Sequence, residues 1–426
     1  MKVIMPISHI YCPEIPGADK NKSGFSYMAR SIADELGKYC ELSILIQSSL
    51  IQNNTQVNTF MMLKKTISDL IASFSITYFN QALNYSLANH FTLKKTLRVI
   101  CYFFTGAYLE RIIKKNAPDV IYIHDESDYT IPFLLAAART NTKTVITSHG
   151  LGCLNRDVVA MTDFQAFCEE SLFSVCDKND VTMTVISSGM KFRMSRKLGN
   201  SLHNVRIISN FVGNDIVTYS NNNHKILETK NEKKILCVGS VYVLKNQRQL
   251  IDAVALCNEN KKPMRLCIVG DGPDLYGLKE YVRKKEYTFV DFLGRLSHEE
   301  VCKQYYSCTA VALVSVNDGF GLPVLEGYCF GRPAVMFSDL DAFPDLYNPN
   351  TMIGVYDRST KELADALMRA IDADWDEEYI KEFAESFSKE RIGKAYFEAL
   401  NDESNAFPLE YFHTIYSLVL NKKRKT

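Results

Sequence analysis

The stretch Asn317–Pro333, N-D-G-F-G-L-P-V-L-E-G-Y-C-F-G-R-P, decides the fold of this chain. An apolar run, Val311–Val316, leads into a glycine-bearing loop, which predicts a strand followed by a turn. Pro323 suits the first turn of a helix, and Gly331 suits the position just past its end. Two carboxylates, Asp318 in the loop and Glu326 in the helix, stand eight residues apart. The first N–H groups of such a helix lack intrahelical partners, and its dipole favours anions. Glycines let the backbone approach a ligand closely. The segment can therefore hold a phosphate at a helix N-terminus, with carboxylates beside it to grip hydroxyls. A sugar nucleotide carries both kinds of group. A well-capped strand-turn-helix would explain the glycines and the proline. It would not explain an acidic residue in the loop paired with one inside an apolar helix.

Outward from this stretch, short apolar runs recur with helix-like segments between them. In the first half they are Val3–Met5, Leu42–Ile46, Val120–Ile123, Thr144–Thr147, Met183–Ile186 and Val205–Ile208. In the second half they are Ile235–Val238, Leu266–Val269, Phe289–Leu293, Val311–Val314, Ala334–Phe337 and Met352–Val355. Near-continuous apolar strands alternating with helices predict parallel sheets covered on both faces. Two such sets predict an α/β chain of two doubly wound, Rossmann-like domains, with ligand outside the strand C-termini. The first domain is read as residues 1–212. The polar stretch 213–233, with S-N-N-N-H-K and E-T-K-N-E-K-K, is read as a linker, and 234–386 as the second domain. From Phe387 the tail is helical in pattern.

A chain of 426 residues has room for two to three domains of ~100–200 residues. Lys+Arg and Asp+Glu are equal at 49 each, so global charge gives no case for nucleic acid as a partner. The 12 cysteines contain no C-x-x-C pair and sit in apolar segments such as I-L-C-V-G, which predicts free buried thiols in a reducing cytosol. Strand-like residues follow Met1 at once, and no run of 18 or more apolar residues appears. Neither a signal peptide nor a membrane span is expected, and the cytoplasm is the expected place. The P-loop pattern G-K-[ST] and H-E-x-x-H are absent. Asp339 and Asp341, in F-S-D-L-D-A, are read as a solvated loop and not as metal ligands.

The Asn317–Pro333 segment resembles the acidic-pair motif of retaining glycosyltransferase family 4, the glycosyl transferases group 1, enzymes of the GT-B fold. In that family Glu stands first, then G-F-G-x-P-x-x-E, then a small-residue run ending G-x-P. Here Asp318 takes the first place and Glu326 the second. The resemblance implies two Rossmann-like domains facing each other across a cleft, with the last helices, within 387–426, crossing back onto the first domain. It also matches at V-G-S-V-Y-V-L-K-N, Val238–Asn246, where Lys245 and the Gly239-Ser240 turn would meet the donor diphosphate. The family has arginine where Ser240 stands; Arg295 and Arg248 are the candidate substitutes. The run L-C-I-V-G-D-G-P matches a strand followed by G-D-G-P, with Gly270 as a donor contact or a tight turn. The segment F-L-G-R-L-S-H-E-E makes Gly294 and Arg295 the base-edge candidates.

In the first half, T-V-I-T-S-H-G puts His149 at a strand end, where the family has a histidine facing the reacting sugar. His124, in V-I-Y-I-H-D, is a similar strand-end histidine, read as lining the cleft or packing. The family's Gly-Gly loop after the first strand is replaced by K-N-K-S-G-F-S. It offers Gly24 as a phosphate neighbour and Ser23 or Ser26 as helix caps.

The resemblance implies transfer of a hexose-type sugar, with retention, from a nucleotide diphosphate sugar to a hydroxyl of a glycan or lipid-linked acceptor, in cell-surface polysaccharide synthesis. No cofactor or metal is implied. Asp318 would hold hydroxyls of the moving sugar together with backbone N–H groups of Gly319, Phe320, Gly321 and Leu322. Glu326 would hold the ribose, and Lys245 and His149 would complete the catalytic set. A catalytically inactive binding subunit, and a sugar-nucleotide epimerase or hydrolase of the same architecture, are the competing functions. The basic and aromatic run Leu97–Lys115 suits either a peripheral contact with the inner face of a membrane or an amphipathic helix packed in the first domain. The tail N-K-K-R-K-T suits contact with anionic lipid or plain solvation.

Overall fold

The computed structural model describes residues 1–20, 23–46, 55–63, 67–150, 152–154, 161–177, 182–198, 202, 205–222 and 232–402. The chain forms two compact units. One comprises Met1–Ile186, Lys191–Ile208 and Gly393–Thr426; the other comprises Ser187–Met190 and Ser209–Ile392. Both are α/β with sheets of mainly parallel strands, as the alternation of apolar runs and helices predicts.

In the first unit the strands are β1 (Lys2–Ile7), β2 (Glu41–Ile46), β3 (Thr55–Val57), β4 (Phe60–Met62), β5 (Val120–Ile123), β6 (Lys143–Ser148), β7 (Thr182–Val185) and β8 (Val205–Ile207). Their order across the sheet is β3-β4-β2-β1-β5-β6-β7-β8. All neighbours are parallel except β3 on β4. Every side chain of β5 is buried, as covering on both faces requires. The helices Ile76–Ala88, Leu93–Asn116 and Thr130–Arg139 cover one face, with Tyr78, Tyr85, Phe103, Leu109 and Phe133 in a core that includes Ile121, Ile123 and Ile146. Burying a side chain such as Phe103 contributes roughly 1.5–3 kcal/mol. Most of Leu97–Lys115 is thus committed to packing: Val99, Phe103, Leu109, Ile112 and Ile113 point inward.

The second unit has β9 (Lys233–Val238), β10 (Met264–Val269), β11 (Val290–Gly294), β12 (Ala310–Leu313), β13 (Ala334–Phe337) and β14 (Met352–Val355). The order is β11-β10-β9-β12-β13-β14, all parallel. Strand order reverses between β9 and β12, the point where ligands bind in open α/β sheets. In the first unit the reversal falls between β1 and β5.

Several expectations need correction. β12 stops at Leu313 and does not run on to Val316, which is exposed. The polar stretch 213–233 is not all linker: Asn214–Asn222 is a helix with Ile216 and Ser220 buried. Its partner is the helix His298–Ser307, through Tyr306 Oη donating to the Ser220 carbonyl at 2.7 Å. Residues 223–231 lie outside the described residues, as does the basic tail within 403–426. Asp341 is buried, whereas Asp339 is exposed and holds Arg358 with both oxygens, at 2.6 and 2.8 Å. The described cysteines are free thiols, mostly buried, with Cys101 exposed. No helix among the described residues is long and apolar enough to cross a membrane.

Candidate active site

At the strand C-termini of the second unit, three glycines stitch adjacent loops together. Gly239 donates its N–H to the Val269 carbonyl at 2.9 Å, and Gly270 donates to the Gly294 carbonyl at 2.8 Å. A Cβ built on Gly270, at φ +135°, would lie 1.9 Å from the Gly239 oxygen, and one on Gly272 would lie 2.2 Å from the Val241 oxygen. G-D-G-P is therefore required by backbone packing against the loop after β9. Gly294, at φ +67°, ends β11, and Arg295 follows it, exposed. Arg248 lies over the Tyr281 ring, its Cζ 4.3 Å from the centroid. Ser240 is exposed and uses its carbonyl to accept from Gln247 Nε2 at 3.0 Å.

After β9 the chain makes a 3-10 turn, Val243–Lys245, and Asn246 at φ +54° redirects it into the helix Gln247–Glu259. The Leu244 carbonyl accepts from Val316 N–H at 2.7 Å, and Asn246 Nδ2 donates to the Val314 carbonyl at 3.2 Å. These two bonds across the switch point bring Lys245 against the acidic loop. Lys245 Nζ donates to Asp318 Oδ2 at 2.5 Å. Burial alone would lower the ammonium's pKa, but the adjacent Asp318 carboxylate raises it above the usual lysine value. Asp318 Oδ1 accepts the N–H of Gly321 at 2.8 Å and of Phe320 at 3.3 Å. Those two N–H groups, expected to face a sugar, are here turned onto the carboxylate of their own loop. Gly321 sits at φ +75°, where a Cβ would also press on Leu313, and it caps the helix Leu322–Cys329.

Glu326 lies one turn into that helix. Gly327 beside it lets the helix sit directly on β12, since a Cβ there would be 2.6 Å from Val311. Tyr305 Oη donates to Glu326 Oε2 at 2.6 Å. Burial pushes the Glu326 carboxyl up to about 7, against the Tyr305 hydrogen bond, which lowers it. His298 stands near, with Nδ1 2.6 Å from Asp215 Oδ2, and this partner raises the imidazole's pKa. No sequence motif marks Tyr305, His298 or Asp215 as site residues; all three reach Glu326 through folding, from other elements.

At the strand ends of the first unit, His124 follows β5 and His149 follows β6. Their Nε2 atoms are 3.1 Å apart. His124 is fully buried, its Nδ1 2.7 Å from Tyr122 Oη, which in turn lies 2.8 Å from Thr147 Oγ1. Burial holds His149 at about 4 and His124 well below the ordinary histidine value, so both are neutral at pH 7. Phe25, which no motif marks either, packs on both rings, at 5.2 and 5.9 Å. Ser8 donates to Asp125, whose carboxyl burial pushes up to about 6. Ser23 caps the helix Gly24–Leu36 by accepting from Ser26 N–H at 3.1 Å; Gly24 is exposed with open space around it.

Two family models match this chain: glycosyl transferases group 1 over residues 220–387, and glycosyl transferase 4-like over residues 60–162. Over these two stretches the chain is similar to glycosyltransferases, and residues 220–387 carry the group 1 match. The chain is 27% identical over 168 residues to the alpha-monoglucosyldiacylglycerol synthase of Streptococcus pneumoniae, a match covering 38% of this chain and 37% of that protein. The chain spans between 33% and 43% of the length of the curated relatives it matches. Among solved GT-B structures it resembles the lipopolysaccharide outer core galactosyltransferase WaaB (TM-score 0.63, 17% identity, 94% of this chain and 99% of that one). It also resembles the Anabaena protein HepE in complex with UDP and glucose (TM-score 0.56, 14% identity, 94% and 99%). At these identities the likeness to the solved structures establishes the fold and no more.

Proposed function

We propose that this chain moves a hexose-type sugar from a nucleoside diphosphate sugar to a hydroxyl of a glycan or lipid-linked acceptor, with retention of configuration, in the synthesis of a cell-surface glycan. The observation that carries this is the Lys245–Asp318 pair, set at the switch point of the second sheet at 2.5 Å. A diphosphate leaving group develops negative charge, and a preorganised ammonium stabilises it without reorganising at the moment of reaction. Lys245 serves the departing diphosphate; Asp318 then turns to the hydroxyls of the sugar. Glu326 holds the ribose hydroxyls as a carboxylate, oriented by Tyr305. His149 meets the sugar as a neutral imidazole, a hydrogen-bonding group and not a proton reservoir at pH 7. The reaction written this way uses no metal. The HepE complex with UDP supports a uridine donor, and the lipid-acting pneumococcal relative supports a lipid-borne acceptor.

A second reading, a donor-binding subunit without turnover, is favoured by Ser240, which leaves one cation fewer beside the diphosphate than the family provides. One experiment separates the two. Nucleotide release and thermal shift are measured with UDP-, GDP- and ADP-sugars, beside Lys245→Ala. Donor-selective stabilisation with slow nucleotide release, abolished in the variant, is expected for the enzyme. Binding without release in the presence of an acceptor extract supports the binding subunit, and no response to any donor overturns both.

A further inference from the structure

Six of the fifteen large apolar side chains exposed among the described residues fall between Ile71 and Leu97: Ile71, Phe74, Ile76, Leu87, Leu93 and Leu97, each more than half exposed. Scattered exposed apolar residues need no explanation, but a concentration on consecutive helices does. Ile76 and Leu87 are eleven residues apart on the helix Ile76–Ala88, close to three full turns, so they share one face. Leu93 and Leu97 share a face of the helix Leu93–Asn116, with Lys94 and Arg98 beside them at the same spacing. Phe74 packs edge-on against Phe104 of that helix at 5.5 Å, which ties the strip together along its length.

Charge narrows the occupant. From residue 67 to residue 109 the chain carries Lys94, Lys95 and Arg98 and a single acid, Asp69; Lys95 is paired with Asp163 at 2.9 Å, which leaves Lys94 and Arg98 as the cations of this face. A second copy of this face would bring cation against cation, whereas an anionic lipid surface supplies the missing counter-charge. A 220 Å³ cavity lies on the same helix, lined by Phe91, Lys95, Arg98, Val99, Tyr102 and Phe164 among others. Its wall combines apolar rings with Arg98 and with the ion pair of Lys95 and Asp163, 2.9 Å apart. Tyr102 packs on Tyr129 at 5.0 Å, five residues past His124. The strip therefore stands at the end of the first sheet that carries His124 and His149.

We infer that this face docks on an anionic bilayer surface and holds the strand-end histidines toward a lipid-borne acceptor. The acceptor part rests on the transfer function proposed above; the docking does not. The full chain is sedimented with phosphatidylcholine vesicles, with and without phosphatidylglycerol, at low and high salt. Phosphatidylglycerol-dependent, salt-sensitive pelleting is expected. It should fall about tenfold or more in Leu93→Asp/Leu97→Asp and in Lys94→Glu/Arg98→Glu, with Tm and donor binding unchanged. The inference is overturned if the wild type pellets no more with phosphatidylglycerol than alone. It is also overturned if the variants pellet equally, which would assign binding elsewhere, as to the basic tail. A dimer seen by light scattering, dissolved in the Leu93/Leu97 variant without any lipid effect, overturns it too. Donor binding measured on the same samples keeps the two ideas apart. Its absence counts against the transfer function and leaves the vesicle result standing.

Discussion

Lys245 and Asp318, 73 residues apart in sequence, form a 2.5 Å ion pair, while the second oxygen of Asp318 holds the Gly321 N–H. Both ends of the carboxylate are engaged before any ligand arrives. Lys245→Ala should lower transfer by more than an order of magnitude, on the scale of ~2–4 kcal/mol for a lost transition-state contact. Asp318→Asn, which keeps the shape and removes the charge, should also lower it. Because the two act on one another, the double variant should lose less than the sum of the single losses. Steady-state rates with a fixed donor test this; strict additivity would mean the pair does not act as a unit.

Glu326 makes donor binding depend on pH. Its carboxyl is held at about 7, above the free value of 4.5, so it is largely protonated at pH 6 and ionised at pH 8. A carboxylate grips ribose hydroxyls better than a carboxylic acid, so nucleotide affinity should rise between pH 6 and 8. In Glu326→Gln it should be weak and flat. Stability has the opposite sign. The folded state favours the protonated form, so this contribution is complete below the free value and is lost as pH rises through about 7. The Tm of Glu326→Gln relative to the wild type should therefore climb from pH 5 to 8. Tyr305→Phe removes a hydrogen bond that lowers the carboxyl, and should move the midpoint of the affinity profile to higher pH. Calorimetry at several pH values, by titration for affinity and by scanning for Tm, measures all three.

Gly270→Ala should destabilise the second unit without touching a ligand. The new methyl would fall 1.9 Å from the Gly239 oxygen at a backbone angle that favours glycine. Overpacking of this kind costs about 1–3 kcal/mol or more. A lowered Tm is the readout, and an unchanged Tm would show that the loops are not held together as described.

The two strand-end histidines should separate stability from activity. His124→Phe removes one of the two partners of the buried Tyr122 hydroxyl, Thr147 being the other, and a lost hydrogen bond costs about 0.5–1.5 kcal/mol. His149 is half-buried at the rim, so His149→Ala should cut transfer with little change in Tm. Equal Tm losses in both variants would place His149 in the packing alone.

All twelve strands expected from apolar runs form, because buried parallel strands write themselves as continuous hydrophobic stretches. β3 and β4 escape notice because T-Q-V and F-M-M are three residues each, too short to show a period. The helix Asn214–Asn222 hides in a polar stretch because Ile216 is its one deeply buried apolar side chain. The acidic loop is legible because glycines, proline and two carboxylates lie within one short segment. The contacts that set the chemistry of that segment are not. Tyr305 meets Glu326 across 21 residues, and Phe25 meets His149 across 124; only the folded sheets bring them together. The glycines of G-D-G-P illustrate the converse: the sequence shows them plainly, but the two oxygens that demand them, of Gly239 and Val241, belong to another strand's loop.

The chain of groups from His149 through His124, Tyr122 and Thr147 reaches Thr184 on β7, 2.7 Å from Thr147. Two neutral imidazoles facing each other through Nε2 share a single proton, so only one of them donates. If His124 donates, its Nδ1 is bare and Tyr122 must donate to it. If His149 donates, His124 carries its proton on Nδ1 and Tyr122 donates to Thr147 instead. The row is therefore a two-position polarity switch spanning three strands. A hydroxyl that binds His149 as donor or as acceptor selects the setting, and imidazole ¹⁵N shifts would read it from the far side of the sheet.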